Sequence, residues 1–187
     1  TKRLPPVAEL IEKANQPQTM LYSLQSLEHY AKSRAAVPEI DLGSLAPELS
    51  GATPVLIEIV KGGHRRYATQ SLRILGLIGP EANDAVPLAI ELLESDFYDL
   101  RAESAAALGG FGIGSREVVE ALVASLDRET TTNERFARPH RPGSRQGRGL
   151  RPQLPQGTLR ANVAIALGKL AAHPDLAVPS LVQMLDL

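Results

Sequence analysis

The chain has no cysteine and no tryptophan, and aromatics make up only 4% of its 187 residues. Without thiols, it cannot form disulfides, thiolate zinc sites or a cysteine nucleophile. That composition fits a reducing compartment, and a cytoplasmic location is expected. With so few aromatics the core must be built from Leu, Ile, Val and Ala, which suits closely packed helices better than aromatic-rich strands. No apolar run approaches the ~20 residues of a membrane-spanning helix, and no stretch reads as a secretory leader. No membrane partner is therefore expected. The four histidines (29, 64, 140 and 173) share no helix at i, i+4 spacing, so no metal site is indicated and no cofactor is expected. The net charge is only −1, so the chain as a whole has no nucleic-acid-like bias.

What the chain does have is a repeat. The stretch at 100–112, LRAESAAALGGFG, recurs as YATQSLRILGLIG at 67–79 and as LRANVAIALGKLA at 159–171. Leu75 and Leu108 are 33 residues apart, as are Val60, Leu93 and Leu126. A unit of that length reads as a helix–turn–helix hairpin. By propensity alone 53–61, TPVLIEIVK, resembles a strand, but its register matches the helical stretch around Leu93. Thr53 is expected to cap this helix, with Pro54 in its first turn. Leu126 to Leu167 spans 41 residues where 15 is expected, so an insertion lies between the helices of one unit.

The expected organisation follows. Residues 1–33 form a diverged helical hairpin and 34–52 a connector. Residues 53–187 hold the repeats: 53–79, 84–112, 115–171 with an insertion at about 130–157, and a half repeat at 175–187. That last helix would lack cover on its apolar face, so the chain is expected to be part of a longer protein.

The string Asp99-Leu100-Arg101, Ala105, Leu108-Gly109, with a proline opening each first helix, resembles the HEAT family. LGLIGPEANDAVPLAIELL is similar to the short bacterial HEAT units related to phycobilin-lyase repeats. The resemblance implies an all-α, right-handed α-solenoid of stacked antiparallel hairpins. It further implies a ladder between repeats, formed by an Asp in the turn and an Arg at the position of Arg101 and Arg160. Ala68 occupies that slot in the second unit, so the ladder is expected to break there. The glycines around 109–114 are expected to loosen the turn after the second helix, and Ser115 to cap the next one.

In such an array the second helices line the concave surface. The candidate residues there are Gln70, Arg73, Leu77, Glu103, Asn162, Ile165 and Lys169. They form a mixed face that reads either as solvated surface or as a groove for a partner protein or peptide, with Leu77 and Ile165 as apolar contacts.

The insertion is the second candidate. Residues 130–157 carry six Arg and one Glu, a balance of +5 that leaves −6 for the rest. Four Pro and four Gly in this stretch argue against regular structure. Arg135, Arg138, Arg141, Arg145, Arg148 and Arg151 would spread charge along a flexible arm, and Phe136 could stack on a base. Such an arm suits nucleic acid or another polyanion. A solubilising loop or a protein contact are the other readings.

Enzymatic readings find less support. Within the resembled family, an iron-dependent hydroxylase uses His-Glu dipeptides, and this chain has only the reversed Glu28-His29. A phycobilin-lyase-like enzyme is the weaker alternative, because nothing marks a bilin site. The glycine run at 109–114 fails as a phosphate loop: Ser115 occupies the last glycine position, and no strand precedes it. The reading is therefore a non-catalytic scaffold or adaptor that binds a protein partner on its concave face.

Overall fold

The structure, a computed structural model, describes residues 5–36, 49–136 and 158–185. Among these residues every regular element is helical. In chain order they are α1 (Val7–Ala14), α2 (Met20–Ala36), α3 (Thr53–Lys61), α4 (Arg65–Ile78), a 3-10 segment (Gly79–Ala85), α5 (Val86–Leu92), α6 (Tyr98–Phe111), α7 (Arg116–Phe136), α8 (Thr158–Leu170) and α9 (Pro174–Leu185).

The helices form antiparallel pairs stacked in two layers. The second helices α2, α4, α6 and α8 lie side by side, with α4–α6 and α6–α8 the most extensive contacts in the molecule. The first helices α5, α7 and α9 form the other layer: α5 packs against its hairpin mate α6, α7 against α8, and α9 against α7 and α8 of the preceding hairpin. One continuous core runs through the stack, from Val7 and Leu10 through Leu56, Leu72, Leu75, Leu108 and Phe111 to Leu167 and Ala177. This is an α-solenoid, each hairpin burying an apolar face that it could not bury alone.

Helix α3 forms despite its β-branched residues, as the repeat register predicts. Leu56, Ile59 and Val60 lie on its buried side, and packing outweighs propensity. Thr53 does not cap it. Ala52 is the N-cap residue, while Thr53 is buried in the first turn and its hydroxyl has no partner among the described residues. Ser115 does act as expected: its Oγ accepts from the Val118 N–H at 3.3 Å.

Two expectations need correction. Gly109 and Gly110 do not loosen a turn. They lie inside α6, which ends at Gly112 in the left-handed region (φ +70°). A Cβ on Gly109 would sit 2.8 Å from the Ala166 Cα, and one on Gly110 would press into the Gly76 carbonyl, 2.8 Å from its carbon. Gly76 likewise faces Ala107, where a Cβ would lie 2.8 Å from the Cα. These glycines let backbones approach across the layer.

The second correction concerns the insertion. Helix α7 continues to Phe136, so the first part of 130–157 is helical, because proline and glycine begin only at Pro139. Residues 137–157 lie outside the described residues, as do 37–48 of the expected connector.

Candidate functional site

The layer of second helices carries a cleft of about 570 Å³ between α2, α4 and α6. Its lining is Gln25, Glu28, Arg65, Arg66, Thr69, Gln70, Arg73 and Asp99, without a single apolar side chain. The helical period places these residues: Thr69 and Arg73 follow Arg65 at four-residue steps along one face of α4, and Gln25 and Glu28 are three apart on α2.

Glu28 is the hub on the α2 side. Lys32, one turn on, approaches it at 2.7 Å, Gln70 Nε2 donates to it at 3.0 Å, and Arg73 Nη1 lies 3.5 Å away. Burial raises the pKa of its carboxyl, but the hydrogen bonds from Lys32 and Gln70 and the charges of Lys32 and Arg73 outweigh this. The result lies below the usual carboxylate value. Arg73 also reaches across to Glu103 on α6, donating from both Nε and Nη2. The hydrogen bond to Glu103 raises the guanidinium pKa further against desolvation, so Arg73 stays charged.

At the other end Arg65 Nε sits 2.8 Å from both oxygens of Asp99, and its guanidinium lies over the Phe97 ring at 5.0 Å. Thr69 Oγ1 donates to the Arg65 carbonyl oxygen at 2.8 Å. Arg66 stands apart. It is exposed and has no ion-pair or hydrogen-bond partner among the described residues.

The cleft brings together Gln70 and Arg73, with Glu103 bonded at its edge. It does not include the other concave-face candidates. Leu77 is half-buried and packs against the core. Asn162 is committed to α6, donating Nδ2 to the Ala102 carbonyl oxygen at 2.7 Å. Ile165 is 56% exposed on α8, and Lys169 is exposed one turn further on. Neither Leu77 nor Ile165, the apolar contacts expected on the mixed concave face, lines the cleft.

The expected Asp–Arg ladder is also rearranged. Arg101 turns back within its own repeat, donating to the Ser95 carbonyl oxygen at 2.7 Å and lying 5.6 Å from the Tyr98 ring centroid. Asp99 instead receives Arg65 from the preceding repeat. The inter-repeat tie therefore exists where Ala68 was expected to break it.

Sequence reasoning missed the share of α2, because Gln25 and Glu28 belong to the diverged hairpin. It also missed the contrast between Arg66 and Asp99, although these stand 33 residues apart at matching repeat positions. Of the arginine-rich candidates, Arg135 and Phe136 lie on α7. Arg138, Arg141, Arg145, Arg148 and Arg151 lie outside the described residues.

Among the described residues no group of three His, Asp or Glu side chains could hold a metal ion, and no helix is long and apolar enough to cross a membrane. Residues 53–137 match the family model described as HEAT repeats. No curated protein matches the chain.

Proposed function

We propose that this chain, whose residues 53–137 match the model described as HEAT repeats, is a non-catalytic scaffold that binds a protein segment along its second-helix layer. One observation carries the reading: the 570 Å³ cleft formed jointly by three consecutive second helices. A partner lying there touches several repeats at once, which suits an extended segment. HEAT repeats generally serve as protein-interaction modules, and that supports the same reading. Within the cleft Arg65 pairs with Asp99 and Arg73 with Glu28, and a polar, ion-paired lining suits hydrogen bonding to a bound segment.

The test begins with peptides selected from a random display library against the whole chain. Hydrogen-exchange footprints are then recorded with and without each selected peptide. Protection is expected on α2, α4 and α6. Protection confined to the outer layer of α5, α7 and α9, or no selectable peptide, would overturn the proposal.

A further inference from the structure

We infer that the cleft selects an acidic peptide segment, and that Arg66 is the residue that engages its carboxylate. The inference rests on the scaffold reading above and names the chemistry of the partner.

The lining holds three guanidiniums, Arg65, Arg66 and Arg73, against two carboxylates, Glu28 and Asp99. Two of the guanidiniums are already occupied, Arg65 by Asp99 and Arg73 by Glu28 and Glu103. One positive charge is left over, and it is placed at the exposed Arg66.

The stability of α4 does not account for that placement. Arg66 is the second residue of α4, near a helix start, where the backbone dipole favours negative charge. At the matching position in α6 the chain has Asp99, which both suits the helix start and serves Arg65. Arg66 does neither, so its charge is available to a ligand.

The neighbouring groups narrow the class. Gln70 commits one amide hydrogen to Glu28, which leaves its carbonyl oxygen and second N–H for other partners. Gln25 is exposed on the α2 wall of the cleft, with no hydrogen bond to another described residue. Two carboxamides beside one spare guanidinium match a peptide backbone next to one carboxylate. They match phosphate less well. A phosphate dianion would share the cleft with Glu28 and Asp99, and the two guanidiniums that could balance it are engaged. With no apolar side chain in the lining, selection here depends on charge and hydrogen bonding.

The test uses the full chain and fluorescence anisotropy at about 0.15 M salt, where long-range attraction is largely screened. The probes are labelled ten-residue peptides of alternating Glu and Ser, or of alternating Lys and Ser. Inorganic pyrophosphate and single-stranded DNA serve as competitors. The Glu peptide is expected to bind, and Arg66→Glu to weaken it about tenfold or more, the scale of one charge-assisted hydrogen bond. The Lys peptide is expected to gain affinity in the same variant. Arg66→Lys is expected to retain part of the binding. Arg66 makes no hydrogen bond or ion pair with another described residue, so Arg66→Glu should fold; if its circular dichroism differs from that of the parent, Arg66→Gln provides the same reading.

Glu-peptide binding that Arg66→Glu leaves unchanged would overturn the inference, since the arginine-rich stretch or another surface would then be the binder. So would displacement by pyrophosphate or DNA at lower concentration than by unlabelled Glu peptide. If library-selected peptides protect α2, α4 and α6 but are not acidic, the inference fails and the scaffold reading stands. If no peptide protects that layer, both fail.

Discussion

The α4–α6 and α6–α8 interfaces share a register but are finished differently. In both, a glycine on one helix receives an alanine of the next: Gly76 faces Ala107, and Gly109 faces Ala166. Around that shared contact α4–α6 adds charged ties, Arg65 to Asp99 and Arg73 to Glu103. Between α6 and α8 the bonds include two neutral ones, with Tyr98 Oη accepting from the Leu159 N–H at 2.9 Å and Asn162 donating to Ala102. Backbone approach therefore sets the stacking, while the polar rim is free to vary. The charged ties between α4 and α6 border the cleft.

The sharpest way to break the comparison is through the glycines. Gly110→Ala would drive a methyl group into the Gly76 carbonyl, and the backbones must part. Urea denaturation is expected to show a loss of about 3 kcal/mol. Gly168 occupies the register of Gly76 and Gly109 on α8, but a Cβ there meets nothing within 4 Å. Gly168→Ala is expected to gain up to about 1 kcal/mol from helix propensity. A destabilised Gly168→Ala, or a neutral Gly110→Ala, would show that close approach is not what distinguishes these sites.

The rims can be told apart by salt. Tyr98→Phe leaves the Leu159 N–H without its acceptor and is expected to cost about 1 kcal/mol, unchanged between low and high salt. Arg73→Ala removes the link between Glu28 and Glu103. Because Arg73 is well exposed, its cost is expected to be only about 0.5–1 kcal/mol, shrinking as salt rises. Equal salt dependence in the two variants would erase the distinction between the interfaces.

The smallest effect is a pH dependence at the cleft wall. The folded-state pKa of Glu28 lies below its ordinary value of 4.5. The stability this contributes is present above that ordinary value and is lost as pH falls through the lowered one. Thermal melts from about pH 5 down to pH 3 are expected to show a smaller drop for Glu28→Gln than for the parent chain. Identical drops would mean that Glu28 contributes nothing in this window.

Much of the fold was legible because repetition made it so. Leucines 33 apart identified the hairpins, and the register marked TPVLIEIVK as helix against its propensity. Ser115 was readable as a cap from its place before an apolar run. Thr53 was not, because Ala52 completes the preceding turn and leaves Thr53 one position too far in. The cleft was less legible. Gln70, Arg73 and Glu103 followed from helical period, but Leu77 was expected to be outward and is half-covered by its neighbours. Glu28 carries no repeat signal at all.

The sequence by itself determined that this chain is a helical repeat array, because the spacing of apolar and small residues admits no other way to bury them together. Only the tertiary structure decided which charges meet. Arg65 reaches Asp99 across 34 positions, and Arg73 lies between Glu28 and Glu103. The pairings between α4 and α6 depend on how closely Gly76, Ala107 and Gly110 let those two helices approach. One-dimensional spacing does not contain that distance.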